Sequence, residues 1–145
     1  MRIIGLSDAN ILGIHSMALI AASGLDGISV HRIAELTKCS QNHLTKVVEI
    51  MAKANLIHAT RGPSGGFHLN RASKDILLID IYEAISGKVE EDNLCYEHPN
   101  SRIRLNFFNK ICFDLSLRYL NYLKNTTLAD IQPKAEELLE KHNNK

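Results

Sequence analysis

The sequence predicts a mainly α protein: a winged helix-turn-helix with a small β-hairpin wing, followed by a long C-terminal helix suited to dimerisation. Three observations carry that reading. Helix, helix, tight turn, helix and hairpin follow one another in that order before residue 74. A long apolar stripe then recurs at alternating three–four spacing, more than one small domain easily wraps. The charge is also divided. Residues 1–74 hold 8 basic and 4 acidic side chains and five of the seven histidines, whereas residues 75–145 hold 9 basic and 12 acidic. The net charge of +1 therefore conceals a basic half and an acidic half with different tasks.

The first helix is expected over 7–22, with Ile11, Ile14, Ala18 and Ala21/Ala22 recurring on its inner face. Ser23-Gly24-Leu25-Asp26-Gly27 breaks it. Ser29 is a good N-cap for a short second helix to Thr37, with Ile33, Ala34 and Leu36 inward. Lys38 and Cys39 form the turn, and Ser40 caps a third helix from Gln41 to Ala54 whose apolar face is Leu44, Val47, Val48 and Met51. Two extended runs, Leu56 to Thr60 and Phe67 to Leu69, flank Arg61-Gly62-Pro63-Ser64-Gly65-Gly66, which is turn chemistry at nearly every position.

A fourth helix, Leu78 to Ser86, stops at Gly87. Lys88 to Asn100 reads as an acidic loop. The longest helix is expected from Ser101 to Asn125, striped by Leu105, Phe108, Cys112, Leu115, Tyr119 and Tyr122 and widened by Ile111, Leu120 and Leu123. Thr127 with Asp130 is a variant of the capping box on a short turn, and Pro133 is expected to begin a last charged helix. The implied organisation is a DNA-binding region over 1–74, a connecting helix and sensor loop over 75–100, and a dimerisation helix and tail over 101–145.

Composition narrows the class. With 145 residues, 45% hydrophobic and 23% charged, the chain can bury an ordinary core. No apolar run is long enough to cross a bilayer. The start lacks a signal-peptide layout, and three cysteines cannot all pair, so a reduced, cytoplasmic protein is expected. No paired catalytic carboxylates, phosphate-binding loop before a helix or nucleophile–base motif is visible, which argues against an enzyme.

In a helix-turn-helix the second helix enters the major groove with its N-terminal side chains on base edges. Here those are Ser40, Gln41, Asn42, His43, Thr45 and Lys46. Gln and Asn pair bidentately with adenine, and Ser, Thr and Lys suit phosphates. Arg61, beside Pro63 and Ser64 at the hairpin tip, can enter a minor groove or clamp a phosphate. A winged helix serving as a protein-interaction module is the alternative. His31, His58 and His68 read as ordinary surface residues, and Cys39 as structural.

The run CSQNHLTKVVEIMAKANLIHATRGPSGGFHLNR, from Cys39 to Arg71, resembles the recognition helix and wing of the IscR/NsrR (Rrf) family. The portion from Asn42 to Val48 is most similar to the nitric-oxide-sensing NsrR branch. Ile76 to Gly87, Thr127 to Ile131 and the N-terminal residues also fit. The resemblance implies a homodimeric regulator, by default a repressor, on a palindromic operator in double-stranded DNA. It also implies that Gln41, Asn42, His43, Thr45 and Lys46 face the major groove.

Many members of that family hold an iron–sulfur cluster on three closely spaced cysteines before the long helix. This chain has only Cys95 there, with Cys112 inside the helix and about Asn106 where the third cysteine would fall. Two expectations stand. A [2Fe–2S] cluster is held by Cys95 and Cys112 of one subunit with non-cysteine ligands of the other, Asp8 or His15, while His98 sits three residues after Cys95. Alternatively there is no cluster and Cys112 is a small core residue.

Overall fold

The computed structural model describes residues 7–90 and 106–144. Helix α1 (Asp8–Ser23) begins where the Ser7 hydroxyl accepts the Asn10 N–H, and it forms the centre of the molecule. Leu12, Met17, Leu19 and Ile20 are buried, whereas Ile11 is 39% exposed and Ile14 half-buried. The single inner face expected from Ile11 and Ile14 is therefore not what forms. Helices α3, α4 and α6 close around α1 from several sides, so its buried surface spans most of the circumference.

A 3-10 turn (Gly24–Asp26) leads to α2 (Val30–Thr37) and α3 (Gln41–Lys53), capped by Ser29 and Ser40 as expected. Ile33 of α2 and Leu44, Val47, Val48 and Met51 of α3 are all buried, which fixes the two helices on α1. Strands β1 (Ile57–Thr60) and β2 (Gly66–Leu69) pair antiparallel, with Ile57 opposite Leu69 and His58 opposite His68. The far edge of β2 is taken by Ile28, whose carbonyl accepts the Phe67 N–H at 2.9 Å. That approach explains Gly66: a Cβ there would lie 2.7 Å from the Ile28 nitrogen, so only glycine fits.

After a second 3-10 turn (Ser73–Asp75) come α4 (Leu78–Ser86), α5 (Asn106–Asn125) and α6 (Leu128–Asn143). The starts of α4 and α6 are tied together, Leu78 N–H to the Thr126 carbonyl and Leu128 N–H to the Ile76 carbonyl. Pro133, expected to open a separate last helix, lies inside α6. It removes a bond to the Ala129 carbonyl. The helix persists because Leu128 and Ala135 are buried, with Ile131, Leu138 and Leu139 packed beside them, on a face docked against α1. Tyr82 of α4 meets Tyr119 of α5 edge-on at 6.4 Å. Burial, and then the charge of Tyr82, push the Tyr119 hydroxyl up to about 12, which keeps it neutral.

Helix α6 opens on a reciprocal box. The Thr127 hydroxyl accepts the Asp130 N–H, and the Asp130 carboxylate accepts the Thr127 N–H at 2.7 Å. Thr127→Ala is expected to lower the free energy of unfolding by about 1 kcal/mol in urea denaturation. The Thr127 backbone and hydroxyl bonds hold the Asp130 carboxyl below its ordinary value. A depressed carboxyl contributes stability above its unfolded pKa that is lost as pH falls through the folded one. Asp130→Asn should remove that share of the acid dependence.

The long helix does not present one stripe. Cys112, Ser116, Leu120 and Leu123 face inward and are buried, at 3%, 1%, 0% and 2% exposure. Ile111, Leu115 and Tyr122 stand outward at 50%, 54% and 59%. The stripe read from the sequence mixes these faces because Cys112 and Leu115 are three apart, and the protomer buries only the first.

Candidate nucleic-acid interface

The interface is built from the tight turn upward. Lys38 adopts φ 55°, the left-handed conformation that reverses the chain, and the Cys39 N–H donates to the Ala34 carbonyl at 3.2 Å. The Ser40 oxygen accepts the His43 N–H at 3.2 Å, satisfying one of the orphan donors of the helix start. Its hydroxyl proton is left to donate outward. Thr45 is committed: its hydroxyl donates to the Gln41 carbonyl at 2.8 Å, so its methyl is the part free to meet a partner.

Gln41, Asn42, His43, Thr45 and Lys46 are all exposed. They do not share one direction. Helical spacing puts Asn42, Lys46, Glu49 and Lys53 on the side opposite Leu44, Val47, Val48 and Met51, with Gln41 and His43 on the two flanks. Glu49 was not among the residues singled out from the sequence, although its place at i+3 from Lys46 puts it on this outward face. At the hairpin tip Arg61, Pro63 and Ser64 are exposed, and the turn is closed by the Gly65 N–H on the Gly62 carbonyl at 2.8 Å. The Thr60 hydroxyl oxygen accepts the Gly66 N–H at 3.3 Å. Among the described residues neither Lys46 nor Arg61 enters an ion pair. A helix start rich in amide and cationic groups, beside a rigid turn carrying an arginine, can meet base edges and phosphates together.

The residues considered as metal ligands are placed differently. Asp8 and His15 are exposed on α1 and line a groove of about 820 Å³ between α1, the helix-turn-helix turn and α6. Cys39 and His43 line the same groove. Cys112 does not, and its thiol is buried on the inner face of α5. Cys95 and His98 lie outside the described residues, as do Glu91, Asp92, Glu97 and Leu105. Among the described residues no group of three or more His, Cys, Asp or Glu could hold a metal ion. No described helix is long and apolar enough to cross a membrane.

Comparison with known proteins places this geometry. A family model described as Rrf2, iron-dependent transcriptional regulator, matches residues 6–134. The HTH-type transcriptional regulator NsrR of Halalkalibacterium halodurans is 31% identical over 117 residues, covering 76% of this chain and 77% of that one. The solved structure of T. potens IscR superposes with a TM-score of 0.70 at 25% identity, covering 92% of this chain and 89% of the other. The oxidised form of Staphylococcus aureus CymR gives 0.69 at 26%, over 88% and 95%. The helix-turn-helix, wing and long helix described above are thus features this chain has in common with transcriptional regulators.

Proposed function

The chain belongs to the Rrf2 family of transcriptional regulators, and from that premise we propose that it acts in the cytoplasm as a homodimeric repressor on a dyad-symmetric operator. The observation that carries the reading is the outward side of α3: Asn42 and Lys46, with Gln41 and His43 on its flanks, stand free above an apolar face that locks the helix in place. In this arrangement Asn42 and Gln41 read base edges, Lys46 and the Ser40 hydroxyl meet phosphates, and Arg61 with Pro63 and Ser64 holds the flanking groove. Support for the dimer comes from α5. Of the five large apolar side chains that stand exposed among the described residues, Ile111, Leu115 and Tyr122 lie on one face of it at a four–three–four spacing completed by Arg118. An unpaired stripe of that kind fits a second copy of itself.

For the sensing half the proposed ligands of a [2Fe–2S] cluster are Cys95 and Cys112, with Asp8 or His15 from the other subunit; the matching family's description as iron-dependent supports a role for iron and goes no further. The described residues of one protomer do not fit that group, because the Cys112 thiol is packed inward at 3% exposure while Asp8 and His15 border a separate groove. The same burial favours a second reading, a regulator without a cluster in which Cys112 and Cys39 are structural.

Selection of duplexes from a random-sequence library tests the principal reading. Enrichment of a palindrome whose affinity falls steeply with salt is the expected result. A protein that enriches no sequence overturns it in favour of a protein-interaction module. Anaerobic purification from iron-replete cells, with an absorption spectrum and iron and sulfide assays, decides between the two sensing readings. Visible absorption lost in Cys95→Ala and Cys112→Ala supports the cluster, and a colourless protein of full operator affinity removes it.

A further inference from the structure

Side chains join the end of the recognition helix to the foot of the wing. Helix α3 closes in a Schellman motif: the Leu56 N–H donates to the Met51 carbonyl and the Asn55 N–H to the Ala52 carbonyl, each at 3.0 Å. Asn55 takes the left-handed position of that motif, with φ 58°. Its side-chain oxygen accepts from the Asn70 amide group at 2.8 Å. Asn70 directly follows β2, and its amide group also donates to the Ile57 carbonyl at 3.2 Å. With both amide hydrogens spent, the Asn70 oxygen faces His58 Nδ1 at 2.6 Å. The Asn70 N–H completes the set on the Leu56 carbonyl at 3.0 Å. One residue thus ties the foot of both strands to the last turn of α3.

From this geometry we infer that Asn70 is a positioning residue for DNA recognition: it sets the angle of the wing against α3, and so the place where Arg61 meets the flanking groove. The inference rests on the DNA-binding reading above. A second anchor makes the role specific. Ile28, between α1 and α2, is bridged to Phe67 of β2 through backbone groups alone. The Phe67 N–H donates to the Ile28 carbonyl at 2.9 Å, and the Ile28 N–H to the Phe67 carbonyl at 3.4 Å. A hairpin held only there could pivot about the bridge. Asn70, further along the chain past β2, supplies the second fixed point, and two points define a direction.

The lever is short but sufficient. Arg61 lies two residues beyond Ala59, the partner of Phe67, which is about 7 Å along the strand. A tilt of about 15° at the bridge moves the Arg61 backbone by about 2 Å on that lever. A hydrogen bond to a phosphate or a base edge tolerates a spread of about 0.5 Å, so the contact would be lost. Asn42 and Lys46 would keep their places, because α3 is held independently through the buried Leu44, Val47, Val48 and Met51. Asn55 and Asn70 are exposed side chains outside that core. The ladder between β1 and β2 and the Ile28 bridge use backbone groups, so the hairpin itself persists without the Asn70 side chain.

The test is a set of double-mutant cycles on the full-length protein and the palindromic duplex that the wild type selects from a random library, read by fluorescence anisotropy. In the wild type Arg61→Ala should weaken binding about fivefold or more. In an Asn70→Ala background the same change should cost about twofold or less, whereas the loss from Lys46→Ala should be unchanged. Asn55→Gly keeps the left-handed backbone and removes only the side-chain partner, so it should reproduce most of the effect. It also carries the test if Asn70→Ala fails to fold. A full Arg61→Ala loss in either background overturns the inference. So does an equal shrinkage of the Lys46→Ala loss, which would mark a general disturbance of the domain. Residual dipolar couplings of the DNA-free protein are the independent arm. Wing and α3 amides should fit one common alignment in the wild type and fail to do so in Asn70→Ala; a common fit in both proteins overturns the inference. If no duplex is selected, the DNA-binding reading itself has failed and the functional role falls with it. The couplings then still show whether Asn70 fixes the wing.

Discussion

Leu115→Glu should convert the proposed α5-mediated dimer to a monomer and lower operator affinity by about two orders of magnitude or more, because two half-sites engaged together gain about 10² to 10⁴ over one. Leu115 is 54% exposed in the protomer, so the substitution removes little from its own core. In a dimer the same position would carry a carboxylate into an apolar contact with Ile111 and Tyr122, where an unpaired charge is strongly disfavoured. Analytical ultracentrifugation reads the first effect and anisotropy the second. Leu120→Glu is the contrasting change. Leu120 is fully buried, so it should unfold the protomer and leave no well-behaved monomer. A Leu115→Glu protein that remains dimeric with full affinity would remove α5 from the interface.

Asn42→Ala carries the second large effect. A bidentate amide–adenine pair is worth about 1–3 kcal/mol of discrimination, so operator affinity should fall by roughly five- to 150-fold. Preference at one base position should relax with it. Lys46→Ala is expected to behave differently, weakening all duplexes alike and lowering the salt slope by about 1. Arg61→Ala should cost about 1 kcal/mol or more. Neither Lys46 nor Asn42 supports the core beneath them, where Leu44, Val47, Val48 and Met51 make the contacts. Loss of binding in these variants with unchanged thermal unfolding would locate the effect at the interface.

Much of the DNA-reading half was legible in the sequence for local reasons. Ser29 and Ser40 start their helices because their hydroxyl oxygens accept N–H groups three residues on, an interaction within one turn of chain. The apolar face of α3 follows helical periodicity, so Gln41, Asn42, Thr45 and Lys46 had to be outward. The Gly/Pro-rich tip required a turn, and β1 and β2 formed on either side of it.

What escaped the sequence depends on which elements meet. Periodicity marks Ile11 as an inner residue of α1 but does not say that three helices surround that helix. The inward and outward sides of α5 could not be separated, since both are apolar, and only the packing of α4 against it shows which one the protomer keeps. Pro133 breaks helices locally, but docking of α6 on α1 outweighs that preference. His58 and His68 are ten residues apart and looked like isolated surface side chains until register brought them opposite each other.

The sequence by itself therefore determined the winged helix-turn-helix, the order of its elements and the polar start of α3, because caps, turns and helical periods act over a few residues. Tertiary structure alone decided that α1 is central, that α5 offers Ile111, Leu115 and Tyr122 outward while retaining Cys112, and that two histidines share one face of the wing. Those outcomes follow from burial and strand register, which are set by contacts between residues far apart in the chain and leave no local signature.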